Sequence, residues 1–361
     1  MSRSAVAIVL VCSAAGIASS RATVQASQRN VLSRDTREDV IQRADVWIPT
    51  NVETMDLRRG PAGPGAFGPN ALVECTWVDA KLGGKTPKFE CVLPGDDHVK
   101  VKYGADNGEV YAEVAATRLL WALGFGADAM YPVRVRCKGC PADSKESDAS
   151  TVRAYEFAAI ERKTPGRELV GRNGSGWEWS ELEALDQSSN PEARAQRDAL
   201  RLLAAVLQHT DSKREQQRLI CLDTAAARPE KDACAHALLL ISDVGRTFGK
   251  ANAFNRDRPG SVDLDAWRDT DVWAGPKGCR ARIHQSLTGT LDNPVVSEAG
   301  RRFLLSLLQR LSDAQLRDLF TVARFPARSQ TDMAGEPGRE VDAWVDAFKA
   351  KVAQIAGRTC E

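Results

Sequence analysis

The chain has 361 residues, 43% of them apolar, with 49 basic and 48 acidic side chains. This balance excludes a disordered chain, a polybasic nucleic-acid binder and a multi-pass membrane protein. A single hydrophobic core seldom exceeds about 250–300 residues, so we expect one large domain or two lobes. The nine cysteines are many for a cytosolic protein and few for a small scaffold held by disulfides alone.

The amino terminus has the features of a secretory signal peptide over residues 1–26. A basic start at Arg3 precedes an apolar run over residues 5–18 and a small-residue exit. That run is too short for a transmembrane span, and no later stretch has 18 uninterrupted apolar residues, so we expect a secreted or periplasmic protein without a transmembrane span. A lipoprotein signal at Cys12 is the alternative, disfavoured by the branched Val11 before it.

Cleavage after this segment changes the charge and the cysteine count. It removes two arginines, no acidic residue and one cysteine, which leaves a net charge of −1 and eight cysteines. No electrostatic partner is implied, and nucleic acid is not expected as one. An even number of cysteines suits a compartment that permits disulfides.

The rest of the chain divides into three parts by composition. Residues 27–70 are polar and then rich in Pro and Gly, which predicts an extended amino-terminal arm or linker. Residues 71–165 predict a small β-rich lobe, and residues 166–361 a larger, mainly helical lobe, so the fold class expected is α+β with two lobes. The first lobe has the predicted order β-β-β-α-β-β, with strands at 72–78, 88–93 and 98–103, a helix at 109–123, and strands at 131–137 and 152–160.

The second lobe begins with a clear helix signal. Asn190 and Pro191 form an N-cap and first helical position, and the apolar stripe that follows ends near His209. In the first lobe, Gly124 is expected to end the predicted helix at 109–123. The remaining predicted elements are strands at 219–222 and 238–241 and helices at 301–311, 312–322 and 340–355.

Two clusters in the second lobe combine charge with apolar flanks. The first is the charge-rich run 209–218 between the long helix and a strand. The second is Asp243-Val244-Gly245, which follows an apolar strand. A carboxylate at a strand end before a glycine is placed to meet a ligand or a metal ion.

These clusters resemble two motifs of the protein-kinase-like fold. Asp211, Lys213 and Gln216, preceded by His209, are similar to the catalytic loop H-R-D-x-K-x-x-N, and Asp243-Val244-Gly245 is similar to the metal-binding D-F-G. Residues 99–102 are similar to the strand that carries the phosphate-contacting lysine, and Glu113 follows on the next helix as its partner. The agreement in order and spacing extends from about Gly83 to Gly249, close to half the chain.

The resemblance implies a role for each of these residues. Asp211 would orient the attacking hydroxyl and Lys213 would contact the transferred group. Lys102, held by Glu113, would contact the phosphates of ATP. The other implied contacts are Asp243 and Gln216 to Mg²⁺ or Mn²⁺, and Gly83, Gly84 and Lys88 to the nucleotide phosphates. A lysine two residues after the catalytic aspartate is typical of Ser/Thr kinases, so a protein hydroxyl is the expected acceptor.

Several departures place the chain nearer to atypical kinases, such as the HipA-like or secreted groups. Gln216 stands at the metal-binding Asn position, so the second metal site would be displaced or lost, unless Gln217 takes its place after a register shift. Residues 82–88 lack G-x-G-x-x-G, although Lys85 or Lys88 could supply charge there. Val244 replaces the Phe of D-F-G.

Other interpretations of the same residues stay open. Lys100 and Lys102 could lie on a solvated sheet face, Glu109 competes with Glu113 as the lysine's partner, and Asp211 could simply cap a turn. At the level of function, the alternatives are an inactive pseudokinase that serves as an extracytoplasmic binding module, and a kinase acting on a small molecule or lipid.

The eight cysteines that remain after cleavage are expected to form disulfides, and two tryptophans have two possible roles. Neighbouring cysteines pair as Cys75 with Cys91, Cys137 with Cys140, Cys221 with Cys234, and Cys279 with Cys360, although eight cysteines allow 105 connectivities. A redox role for Cys137 and Cys140 is the less favoured alternative to a structural disulfide. The histidines are isolated, so no zinc site is expected. Trp177 and Trp179 either line a cleft or pack locally.

Overall fold

The computed structural model describes residues 31–32, 34–84, 86–140, 150–171, 174–185, 190–223, 234–249, 261–284, 286–328 and 339–360. The expected signal peptide, Cys12 and Lys85 lie outside these residues. Among the helices so described, none combines the length and the apolar character needed to cross a membrane.

The fold is α+β, with strands concentrated in the first half of the chain and helices in the second, as predicted. The elements are β1 (Val31–Leu32), α1 (Arg34–Arg43), β2 (Ala71–Val78), β3 (Lys88–Leu93), β4 (Asp97–Tyr103), α2 (Gly108–Ala122), β5 (Gly126–Ala127), β6 (Ala129–Lys138), β7 (Val152–Arg162), β8 (Arg167–Glu168), β9 (Val170–Gly171), α3 (Trp179–Leu185), α4 (Pro191–Leu207), β10 (Gln217–Cys221), β11 (Ala237–Ile241), α5 (Leu264–Arg268), α6 (Glu298–Leu308), α7 (Asp313–Val322), α8 (Phe325–Arg328) and α9 (Arg339–Ala356).

Five strands of the first half form a closed barrel in the order β2-β3-β4-β7-β6. β2, β3 and β4 are antiparallel neighbours in succession, as predicted, and β2 closes the barrel by pairing in parallel with β6. On β3 the side chains of Phe89, Cys91 and Leu93 are buried and alternate with partly exposed residues. This period of two is what a strand with one face in a core requires.

α2 links the barrel to the second half and is buried along nearly its whole length. The Asn107 side chain caps it by accepting a hydrogen bond from the Glu109 backbone N at 3.2 Å. Gly124 ends it, as predicted, with a φ of +86°. A Cβ at this position would lie 2.3 Å from the Ile48 carbonyl oxygen, so both the backbone conformation and the close approach require glycine.

A second sheet, in the order β5-β11-β10-β8, determines where the two motifs lie. β10 and β11 form an antiparallel pair in which Gln217 is opposite Ile241. The loop before β10 and the loop after β11 therefore leave the sheet at the same edge. β5, which follows α2, pairs in parallel with β11 and joins this sheet to the first half of the chain.

The helices of the second half pack around an aromatic core. Phe248, Trp267, Phe320, Phe325 and Trp344 are all buried, and the Phe248 ring centroid lies 5.2 Å from that of Trp267 and 5.1 Å from that of Phe325. Edge-to-face contacts of this kind add to the free energy gained from burial. α7, which matches the helix predicted at 312–322, begins with a capping box formed by Ser312 and Gln315.

The segment 27–70 differs from the extended arm expected from its composition. α1 buries Val40 and Ile41 in the main hydrophobic core, and the Arg37 guanidinium contacts the Glu181 carboxylate of α3 at 2.9 Å. The Pro and Gly residues on which the linker prediction rested lie towards the end of this segment, whereas α1 lies near its beginning.

All four predicted cysteine pairs are at disulfide geometry: Cys75–Cys91, Cys137–Cys140, Cys221–Cys234 and Cys279–Cys360. Proximity in the sequence predicted the pairing correctly because three of the pairs bracket a hairpin or a short loop. Trp177 and Trp179 are fully buried and pack against each other with ring centroids 4.8 Å apart, so their role is local packing.

The disulfides are expected to differ in their effect on stability because they close loops of very different length. Cys279 and Cys360 are 81 residues apart, and Cys137 and Cys140 are 3 apart. Loop entropy in the unfolded chain predicts a loss of about 4.5 kcal/mol for the Cys279→Ala/Cys360→Ala variant and about 2 kcal/mol for Cys137→Ala/Cys140→Ala. Equilibrium urea unfolding of both variants without reductant measures the difference; equal losses would contradict the loop-entropy account.

Candidate active site

A buried lysine lies at the centre of the site. The Lys102 side chain on β4 is 1% exposed. Its Nζ contacts Oε1 of Glu113 at 2.5 Å, Oε2 of Glu109 at 3.2 Å and Oδ2 of Asp243 at 3.4 Å. The structure thus brings together the predicted Lys102, Glu113 and Asp243. Glu109, expected only as a rival to Glu113, contacts the same ammonium, since the two glutamates lie one turn apart on α2.

Three carboxylates around one ammonium leave an excess of negative charge. Burial would lower the pKa of Lys102, but the Glu113, Asp243 and Glu109 carboxylates outweigh it and raise that pKa well above its ordinary value. Burial also raises the pKa of Glu113, against the opposing charge of Lys102. Although burial would raise the pKa of Asp243, the charge of Lys102 and a hydrogen bond from the Gly245 backbone N hold it below the ordinary range. Lys102 and Asp243 are therefore ionised at neutral pH.

Asp243 is held in place by its own loop and by the loop before β10. Its backbone N donates to the Gln216 carbonyl oxygen at 3.2 Å, and its Oδ1 accepts from the Gly245 backbone N at 3.2 Å. A Cβ at Gly245 would lie 2.7 Å from Cγ of Glu109, so a glycine here lets α2 approach the loop. The Asp243 side chain remains 33% exposed.

The second cluster lies in the loop 209–216 that precedes β10. Asp211 Oδ2 accepts from the Gln216 amide Nε2 at 3.1 Å and lies 3.5 Å from the Lys213 Nζ. The structure thus brings the predicted Asp211, Lys213 and Gln216 together. Burial would raise the pKa of Asp211, but hydrogen bonds from Thr288 and Gln216 and the charge of Lys213 lower it.

Gln216 connects the two clusters. Its side chain donates to Asp211, while its backbone oxygen accepts from the backbone N of Ser242 at 2.8 Å and of Asp243 at 3.2 Å. Gln217 is 1% exposed and donates to the Ser212 carbonyl oxygen at 3.1 Å, so it faces the interior. The alternative in which Gln217 replaces Gln216 at the cleft therefore does not hold.

His209 lies beneath both clusters and is 1% exposed. Burial lowers its pKa to about 4, against the charges of Asp243 and Asp211. Neither ring nitrogen has a hydrogen-bond partner among the described residues. The imidazole is therefore neutral at physiological pH and acts in packing.

The start of β3 contributes a second lysine, and the loop before it folds towards this residue. Lys88 lies opposite Lys102 in the β3–β4 register, and burial together with the charge of Lys102 lowers its pKa. A Cβ on Gly84, which has a φ of +81°, would lie 2.8 Å from the Lys88 Nζ, so this loop folds back over the amine. Gly83 lies in the same exposed turn, and a Cβ there would meet nothing within 4 Å.

The carboxylates beside Lys102 fit a divalent cation. Oxygen atoms of Glu109, Glu113 and Asp243 lie within 4.8 Å of one another. Oε2 of Glu113 is buried without a hydrogen-bond partner in the described part of the chain. Hard cations such as Mg²⁺ and Mn²⁺ prefer such oxygen ligands.

One residue of the site was missed at the sequence level. The Thr288 hydroxyl donates to Oδ1 of Asp211 at 2.5 Å, although the two residues are 77 positions apart. No motif or periodicity marks Thr288, and a contact over this sequence distance is set by the packing of the second half of the chain.

Comparisons with known proteins concern the fold. No protein-family model matches the chain, and no curated protein matches its sequence. Among solved structures, the chain is similar to the Helicobacter pylori proinflammatory kinase CtkA, at 8% identity over 78% of this chain and 92% of that one, with a TM-score of 0.42.

Two further solved structures are similar. One is the Golgi casein kinase with Mn/ADP bound, at 11% identity over 84% of this chain and 75% of that one, with a TM-score of 0.37. The other is HipA of Shewanella oneidensis MR-1, at 11% identity over 91% and 83%, with a TM-score of 0.34. The first two of these three proteins are named as kinases, and at 8–11% identity the likeness concerns the fold alone.

Proposed function

We propose that the protein is an atypical kinase that transfers the γ-phosphate of ATP to a hydroxyl group, most simply one on a protein. The observation that carries this proposal is one cluster in which Lys102, Glu113 and Asp243 are in contact and connect through Gln216 to Asp211. Phosphoryl transfer depends on such positioning and on electrostatic stabilisation more than on covalent catalysis.

Each group has a part in the proposed reaction. Lys102 and Lys88 offer positive charge to the phosphates of the substrate ATP. A divalent ion, Mg²⁺ or Mn²⁺, held by Asp243 with Glu109 and Gln216, would supply neutralising charge beside them. Asp211, ionised at neutral pH, accepts the hydrogen bond of the attacking hydroxyl and orients it. Lys213 lies beside Asp211, where it stabilises the charge on the transferred group.

The departures from conventional kinases have compensations in the structure. Gln216 keeps a side-chain hydrogen bond to Asp211 and a backbone link to Asp243, so an amide one methylene longer still joins the two acids. Lys88, folded against Gly84, adds charge to a loop that lacks the usual glycine pattern. These contacts favour an enzyme over a pseudokinase.

The cellular setting belongs to the same proposal. A signal peptide over residues 1–26 and four cysteine pairs at disulfide geometry support a secreted or periplasmic protein. We place the small lobe at residues 71–165 and the large lobe at 166–361, with the part of residues 27–70 that forms α1 packed on the large lobe.

Removal of either acid should abolish phosphate transfer but not folding. In Asp211→Asn and Asp243→Asn, we expect transfer from ATP to dephosphorylated casein to fall by about 10²-fold or more, since each carboxylate acts on the reacting groups. Asp313→Asn, which changes a surface acid on α7, is the matched control and should keep the wild-type rate. The readout is phosphate incorporated with Mg²⁺ or Mn²⁺.

Nucleotide binding separates this proposal from the pseudokinase. ATP with Mn²⁺ at about one hundred times its Kd should stabilise the wild type by about 2.7 kcal/mol and raise its Tm. Stabilisation without phosphate transfer to casein or to the chain itself would indicate a binding module, and no stabilisation at millimolar ATP would contradict nucleotide binding altogether.

The part assigned to Glu109 can be tested without turnover. Glu109→Gln keeps the size of the side chain and removes one of the three negative charges near the proposed ion. We expect the stabilisation by Mn²⁺ alone, measured as a Tm shift at a fixed concentration, to decrease clearly in this variant. Glu168→Gln on β8 is the control, and an equal shift in both variants would exclude Glu109 as a metal ligand.

A further inference from the structure

A short loop of the second half is docked on the proposed catalytic loop. The Ser286 backbone N donates to the Thr210 carbonyl oxygen at 2.9 Å. On the other side, the backbone N atoms of Thr290 and Leu291 donate to the Ser212 Oγ at 3.2 and 2.9 Å. The loop 286–291 is therefore anchored on both sides of its centre.

The loop lies close to the catalytic loop because its centre contains a glycine. A Cβ on Gly289 would lie 2.4 Å from the Thr210 carbonyl oxygen, closer than carbon and oxygen can approach. The Thr290 hydroxyl adds a hydrogen bond to the Ser212 carbonyl oxygen at 2.7 Å. These contacts fix the backbone on each side of Thr288.

This anchoring presents the Thr288 hydroxyl to Asp211. Its Oγ1 donates to Oδ1 at 2.5 Å, while Lys213 and Gln216 contact the other carboxylate oxygen, Oδ2. A substrate hydroxyl oriented by Asp211 would need the same hydrogen bond. Thr288 is nevertheless an exposed residue, as is its neighbour Leu287 at 94%. The Ser286 hydroxyl lies 3.1 Å from Thr288 Oγ1.

We propose that Thr288 is an acceptor of phosphate within its own chain, so that the protein phosphorylates itself in cis at this position. This rests on the proposed kinase function. Oγ1 of Thr288 would attack the γ-phosphorus of ATP, the bond from that phosphorus to the β,γ-bridging oxygen would break, and ADP would leave. The hydroxyl proton passes to the Asp211 carboxylate and then to solvent.

The modification would also change the site. A phosphate on Thr288 brings about two negative charges next to Asp211, so repulsion would drive the loop 286–291 away from the carboxylate. Before modification, Thr288 occupies the position that an external acceptor needs. Self-phosphorylation at Thr288 would therefore clear the acceptor position.

Mass spectrometry of the full disulfide-bonded chain tests the proposal. After incubation with ATP and Mn²⁺, trypsin releases residues 283–301 as one peptide, in which fragmentation locates the phosphate. We expect phosphate on Thr288 in the wild type, retained in Thr288→Ser and lost from this peptide in Thr288→Val. Dilution of the protein tenfold should leave the fractional rate unchanged, because the reaction is intramolecular.

A mixing experiment distinguishes phosphate transfer within one chain from transfer between two chains. An Asp243→Asn chain incubated with active wild type should stay unmodified at Thr288. Phosphate found on other residues alone, or on Thr288 of the Asp243→Asn chain at the wild-type rate, would overturn self-phosphorylation in cis while leaving the kinase proposal intact. Absence of phosphate on both the chain and casein would instead overturn the kinase proposal, and this inference with it.

Discussion

The site is organised around the buried charge of Lys102. An ammonium that is 1% exposed is costly to desolvate, by several kcal/mol, unless anionic partners lie at contact distance. Its partners come from different parts of the chain: Glu109 and Glu113 from α2, and Asp243 from the loop after β11. The charge on β4 therefore fixes the barrel, the helix and the second sheet relative to one another.

The same arrangement explains why the second sheet matters. The β10–β11 pair places both acidic loops at one edge, and the Cys221–Cys234 disulfide joins the opposite ends of the two strands. A carboxylate pair placed by a rigid hairpin is more precisely held than one placed by two independent loops.

Local patterns in the sequence were sufficient for most elements and for the main acids. The strand at 88–93, the helix end at Gly124 and the Pro191 helix start depend on neighbouring residues, which a sequence displays directly. Three of the four cysteine pairs were predictable for the same reason, and Cys279 and Cys360 were the two cysteines that remained. The composition of residues 27–70 misled because α1 owes its burial to the core formed by other parts of the chain, and intrinsic composition does not report such packing.

Thr288 and Glu109 show the same limit within the site. Glu109 was predicted only as a rival to Glu113 for contact with Lys102. A buried ammonium has three N–H donors, however, and can donate to several carboxylates at once. Thr288 carries no local signal, because its position depends on a docked loop 77 residues after Asp211. Side chains that complete a site through tertiary packing are the ones that motif spacing cannot reveal.

Gln216 shows how a departure from a motif can preserve its physical role. The residue at this position must hold Asp211 and Asp243 in fixed positions relative to each other. The backbone oxygen of Gln216 meets it on the side of Asp243, through a contact that any residue could make. The side chain meets it on the side of Asp211, where the amide Nε2 of Gln216 donates to Oδ2 at 3.1 Å. Gln216 thus links the two acids through one residue, with its side chain on one side and its backbone on the other.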